Sequence, residues 1–236
     1  EGRAAFNNIR KFATYVFNSN MPEAVPFIFY LFSRGAIPLP LTVMQILAID
    51  LGTDMVPAIG LGSEAPEEGI MDHPPRSQKE PLLSKKVLLR AYLWYGIMES
   101  AIAMGAFFFM NWLNGSMPSS GPDYMMATTM TLAAIVVTQI GVVFCCRTQP
   151  ASVFKVGFTT NRLILIGIAV ELALLSLLIY VPFLHDLFNT APIGLKEWGF
   201  LFIWPVVVFF IDELRKSLLR RKLRRHAVIK HTEIGT

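Results

Sequence analysis

Long apolar runs, broken by short polar punctuation, dominate the chain. Six of them can be read, over residues 13–33, 39–62, 88–113, 125–146, 163–184 and 198–214. Each reaches or approaches the roughly 20 residues that a helix needs to cross a bilayer. Helices are expected because an isolated strand in lipid would leave its backbone groups unpaired. The pattern therefore predicts an all-α membrane protein, a bundle of six transmembrane helices. The first two are expected to be interrupted, because Pro22, Pro26, Gly52 and Pro57 fall inside them. The longest hydrophilic stretch, 63–86, is rich in Pro and Glu and reads as a loop.

Composition agrees with the pattern. Hydrophobic residues make up 53% of the 236 positions and charged residues 16%, too apolar a balance for an ordinary soluble domain. The basic residues are distributed unevenly. If the N-terminus is placed inside and each helix flips the side, every Lys and Arg except Arg34 and Lys196 falls on the inner side. The positive-inside rule then predicts that both termini are cytoplasmic. A basic tail follows the last apolar run, with Arg215, Lys216, Arg220, Arg221, Lys222, Arg224, Arg225 and Lys230. Directly after a membrane helix, such a tail is read as facing a lipid surface rather than nucleic acid. Trp94, Trp112, Trp198 and Trp204 lie mostly towards segment ends, as interfacial aromatics do. The chain opens at Glu1 with Arg3, Arg10 and Lys11 close behind and no signal-peptide core, so its start reads as an internal cut. Adjacent Cys145 and Cys146 are read as small buried residues. None of His73, His185, His226 and His231 has metal-ligand spacing.

The candidate chemistry lies in the first two helices. Acids inside a membrane are costly, and are functional candidates by default. Glu23 follows Asn18, Ser19, Asn20 and Pro22, while Asp50 and Asp54 flank Gly52 and Thr53 ahead of Pro57. The i,i+4 spacing predicts that Asp50 and Asp54 share a face, where two carboxylates would repel unless a cation lay between them. A proline cannot donate to the carbonyl four residues back, so Pro22, Pro26 and Pro57 free the carbonyls of Asn18, Pro22 and Thr53. Carboxylates beside free carbonyls at a broken helix form a cation site in membrane transporters, and hard cations prefer such oxygen ligands. Glu99 reads either as an accessory acid or as a polar contact between helices, and Glu171 is equally open.

These residues carry a resemblance. Asn-Met-Pro-Glu at 20–23 and Asp-Leu-Gly-Thr-Asp-Met-Val-Pro-Ala at 50–58 resemble the paired ion-binding helices of P2-type ATPases, the P-type cation pumps. The stretch 69–76 resembles that family's Met-x-x-Pro-Pro-Arg loop, the opening 1–12 resembles the stalk leading into the ion-binding helices, and 212–216 resembles the end of the last helix. The resemblance covers essentially the whole chain. It implies the C-terminal transport domain of such a pump over 1–236, with a stalk remnant at 1–12, a cytoplasmic loop at 63–87 and a basic cytoplasmic tail at 215–236. It places cation ligands at Asn20, Glu23, Asp50, Thr53 and Asp54, and accessory ligands at Ser19, Gln139 and Glu171. Asp50, with Pro22 and Glu23, matches sodium/potassium-type pumps, whereas calcium pumps usually carry Asn at that position. Val142 departs from the sodium/potassium pattern, which has an acid there, and Ser19 stands where proton/potassium pumps carry Lys.

The cargo implied is Na+, K+ or Ca2+. The chain itself carries no phosphorylation motif, no nucleotide-binding motif and no cofactor or catalytic residue that can be read. ATP and Mg2+ are implied only for a full-length pump, whose N-terminal, actuator, phosphorylation and nucleotide domains would be partners along with the bilayer, in a multi-pass arrangement in the plasma membrane. A stand-alone secondary transporter or channel using the same acids is the alternative, and a membrane subunit with no transport role is a third reading.

Overall fold

A computed structural model describes residues 2–66, 81–149 and 151–234, with side chains to residue 222. The Met-x-x-Pro-Pro-Arg stretch, His73, and the side chains of His226, His231 and the distal basic tail lie outside the described residues.

Among the described residues there are six long helical runs: α1 (Gly2–Phe32), α2 (Val43–Gly62), α3 (Lys85–Asn114), α4 (Pro122–Arg147), α5 (Arg162–Tyr180) and α6 (Leu195–Ile234). No strand occurs among the described residues. Four of the six, α2 to α5, are long and apolar enough to cross a membrane. The expected all-α membrane fold is therefore present.

The interruptions differ from expectation in one helix. Pro22 and Pro26 lie inside α1, yet α1 runs unbroken to Phe32. Proline's fixed φ suits a helix even though its missing N–H costs a bond, and α1 is held along its length by α2, α3 and α4. The second helix is interrupted. Between Val43–Ala48 and Met55–Gly62 it widens into a π turn over Ile49–Thr53, closed by Asp54 N–H donating to the Ile49 carbonyl at 3.0 Å. Pro57 falls in the first turn of the resumed helix, where its lack of an N–H is tolerated. A second π segment, Arg90–Gly96, lies in α3 against α1.

Local sequence sets the helix ends. Thr42 and Gln45 form a capping box at α2, with Thr42 Oγ1 accepting from Gln45 N–H at 3.3 Å and Gln45 Oε1 accepting from Thr42 N–H at 3.1 Å. Asn161 caps α5 by accepting from the Leu163 and Ile164 N–H groups. Gly115, at φ 69°, terminates α3. The last helix is longer than its apolar run: it continues past Leu214 as a basic helix to Ile234, because the Lys- and Arg-rich tail has good helix propensity and no breaker.

Helix α4 is the hub. It touches all five other long helices, and most of its side chains are buried. Small residues allow the closest approaches. A Cβ on Gly167 of α5 would lie 2.8 Å from the Pro57 nitrogen of α2, and one on Gly141 of α4 would lie 2.5 Å from the Pro205 carbonyl oxygen of α6. The outer surfaces are apolar, as with Val43, Leu47, Leu51, Met55 and Ile59, a stripe repeating every fourth residue along α2. Polar side chains are gathered inward, among them Asn18, Thr53, Glu99, Gln139 and Glu171. This inversion suits a bundle whose solvent is lipid.

Candidate functional site

Midway along α2, the widened turn delivers Asp54 to the interior. Its carboxylate is buried, and Oδ2 accepts a hydrogen bond from Gln139 Nε2 of α4 at 3.2 Å. The hydroxyls of Ser19 on α1 and Thr53 on α2 lie beside it. Thr53 Oγ1 donates to the Ile49 carbonyl at 3.1 Å, within the π turn itself. Oδ1 of Asp54 and Oε1 of Gln139 have no protein partner. Glu23, buried one turn further along α1, is close enough to Asp50, Asp54 and Glu99 for their charges to repel, and its Oε1 also lacks a partner.

Glu171 sits halfway along α5, fully buried, with neither carboxyl oxygen hydrogen-bonded. It interacts electrostatically with Asp54 and Glu99. Ser19, Glu23, Thr53, Asp54, Gln139 and Glu171 are thus brought together in the bundle interior. Asn20 and Asp50 are not, since both face the exposed side of their helices. The expected shared face of Asp50 and Asp54 is lost because the wide turn between them changes the register. Asp50 still lies near enough to Glu23 and Asp54 to repel both.

Sequence reasoning left three members of this region unassigned. Glu99 of α3 is fully buried and near Asp54, while Tyr15 and Asn18 of α1 are buried with polar atoms unpartnered. An acid halfway along an apolar run is the available signal for Glu99, Asn18 is marked only through the carbonyl that Pro22 frees, and Tyr15 has no signal beyond being polar in a membrane segment.

The donor set consists of oxygens: carboxylates, hydroxyls and amides. That chemistry fits a hard cation such as Na+, K+ or Ca2+. Among the described residues, however, no three His, Cys, Asp or Glu side chains converge tightly enough to hold a metal ion by themselves. The acids surround a region instead of chelating at a point, so a cation there would need neutral oxygens as well.

At the end of the bundle bearing most of the basic residues, the polar groups are arranged differently. Arg147, fully buried at the end of α4, binds Glu64 through Nε at 3.0 Å and Nη2 at 2.6 Å. It also donates to the Gly157 carbonyl and the Thr160 hydroxyl. Asn161 donates to both Glu64 and the Gly60 carbonyl, and Asn8 of α1 donates to the Glu64 carbonyl. Asp212 of α6 gathers Trp94, Tyr95, Arg215 and Lys216. These networks tie the helix ends together, and none of Arg147, Glu64 and Asn161 has a buried polar side-chain atom without a partner.

Comparison with known proteins identifies the family. Residues 38–218 match the family described as cation transporting ATPase, C-terminus. The chain is 33% identical to the sodium/potassium-transporting ATPase subunit alpha-2 of Homo sapiens and of Pongo abelii, over 94% of its own length and 24% of theirs. It is 32% identical to the alpha-1 subunit of Catostomus commersonii over the same shares. The chain thus spans about a quarter of the length of the curated relatives it matches. With the match running through α2 to the basic part of α6, the chain belongs to the C-terminal membrane region of the P-type cation-transporting ATPases.

Proposed function

We propose that this chain is the cation-binding transmembrane part of an ATP-driven pump that moves monovalent cations of the Na+/K+ type. The observation that carries the reading is Asp54, a buried carboxylate delivered by a π turn at the midpoint of α2 and met by neutral oxygen and amide groups from three helices. Glu23 and Asp54 are its charged ligands, assisted by Ser19, Thr53, Gln139 and Glu171. Asn20 and Asp50 face outwards, where further helices of a complete pump would supply the rest of the cage. The relatives named as sodium/potassium-transporting pumps support a monovalent cargo over calcium, as does the presence of Asp at position 50.

In this reading all six runs span the plasma membrane, α1 and α6 included, with both termini and the loop at 63–87 in the cytoplasm. Residues 1–12 continue a stalk, and the basic stretch 215–236 lies at the cytoplasmic lipid surface. ATP and Mg2+ act on the actuator, phosphorylation and nucleotide domains of the complete pump. The present residues bind and orient the cation, and exclude water from around it. The acids alternate between a cation-loaded and a cation-free arrangement as the rest of the pump changes state.

The test is cation-stimulated phosphorylation of the complete pump from ATP across a cation titration. Asp54→Asn keeps size and hydrogen-bonding capacity but removes a charge, and should cost at least about tenfold in apparent cation affinity. Normal affinity in that variant would refute the site. Cation flux by the present chain alone, without ATP, would instead favour a secondary transporter or channel.

A further inference from the structure

The site around Asp54 does not account for Glu99. This residue lies halfway along α3, fully buried, and neither carboxyl oxygen has a protein partner. Other polar side chains of α3 behave differently: Ser100 donates to the Gly96 carbonyl at 2.6 Å, and Asn111 donates to the Phe107 carbonyl at 2.8 Å. Beside Glu99 lies Asn18 of α1, also fully buried, whose amide reaches Glu99 and no other group, so that its amide oxygen is left unpartnered. Two side chains from two helices therefore meet with at most each other as partner, which leaves acceptor oxygens of both unsatisfied. Leaving such groups unpaired costs more than any ordinary contact recovers.

We propose that Glu99 and Asn18 form a further binding position for one alkali-metal cation, making α3 a ligand-bearing helix of the transport pathway. One carboxylate with a neutral amide oxygen balances a single positive charge. A divalent ion would call for more carboxylates than converge here. Glu171, close enough to Glu99 to interact electrostatically, adds attraction for a cation. The π segment Arg90–Gly96 places the start of this half of α3 against α1, where a Cβ on Gly96 would lie 2.6 Å from the Met21 side chain. That close approach holds the Glu99 turn opposite Asn18.

The proposal rests on the pump reading above, and its experiment separates the two. Equilibrium binding of radiolabelled sodium, and of rubidium as a stand-in for potassium, is measured on the purified complete pump. Wild type is compared with Glu99→Gln, Glu99→Asp, Asn18→Ala and Asp54→Asn. Glu99→Gln and Asn18→Ala should each lose one bound cation per pump or weaken one class of site by about tenfold. Glu99→Asp, which keeps the charge, should recover part of that loss, a rescue that a purely structural role would not produce. Wild-type number and affinity for both ions in Glu99→Gln, or in Asn18→Ala, overturns the proposal. If Asp54→Asn loses binding while Glu99→Gln does not, the pump reading stands and only this inference falls. If Asp54→Asn binds both ions normally, the pump reading falls.

Discussion

Two polar regions of this bundle bury comparable chemistry in opposite ways. At the basic end, Arg147 spends its donors on Glu64, Gly157 and Thr160, and Glu64 in turn receives Asn161. At mid-bundle, Glu99 and Glu171 have no hydrogen-bonded partner, and Asp54 has one oxygen satisfied out of two. Both regions are buried, both contain acids, and both link helices far apart in sequence. The difference lies in satisfaction. A closed network uses its polar groups to fix the fold, whereas an open one keeps its binding capacity for something else and carries a stability cost for doing so. Burial alone does not separate the two regions, but burial combined with orphaned oxygens does.

The closed network depends most on Arg147. Arg147→Met in the complete pump removes one partner of a buried ion pair and strands Glu64. The expected loss of stability is about 3–5 kcal/mol. It should appear as a large drop in the melting temperature of the detergent-solubilised pump, with cation affinity unchanged in the molecules that remain folded. The double variant Glu64→Gln with Arg147→Met should recover part of the loss, because no bare charge then remains. A mild effect of Arg147→Met alone would mean that the network is not structural.

The opposite outcome is expected at Asn18. Asn18→Leu replaces an amide that meets only Glu99 by an apolar side chain of similar size. Stability should stay level or rise by up to about 1–2 kcal/mol in the cation-free pump, read as the melting temperature in choline buffer. Cation binding should weaken at the same time. Loss of stability on the scale expected for Arg147→Met would erase the distinction between the two regions.

Much of this division could be read from the sequence, and particular residues show where reading stopped. Glu23 and Asp54 announced themselves as acids inside apolar runs, and Pro57 and Gly52 marked α2 as irregular. The basic bias of alternate loops gave a topology that six long helical runs can satisfy. The π turn at Ile49–Thr53 has no residue signature, so the outward turn of Asp50 was not foreseen. The continuity of α1 was missed because a proline's effect depends on the neighbours that hold the helix, which a sequence does not list. The Glu64–Arg147 pair joins positions 83 apart, and each residue taken alone looked like an ordinary loop or interface charge. Glu99 was visible as an acid, but only packing could decide whether it faced a partner.

The smallest effect is expected at Thr138 of α4, and it tests the comparison at its finest grain. Threonines in helices usually return their hydroxyl to a carbonyl three or four residues back. Thr128, Thr129 and Thr131 on the same helix do so, donating to Met125, Met125 and Ala127. Thr138, one residue before Gln139, is equally buried but its hydroxyl has no partner. Thr138→Val preserves the branched shape and removes only that hydroxyl. If orphaned oxygens in this region are held open for a cation, the cation-free pump should change in stability by no more than about 0.5 kcal/mol, since no protein hydrogen bond is lost. Thr131→Val is the internal control, because there the same substitution removes a 3.1 Å bond to the helix backbone and should cost slightly more. Melting temperatures of both variants in choline buffer decide the matter. A larger loss at Thr138 than at Thr131 would show that its hydroxyl is satisfied in the folded pump, and Thr138 would then belong with the closed network and not with the open one.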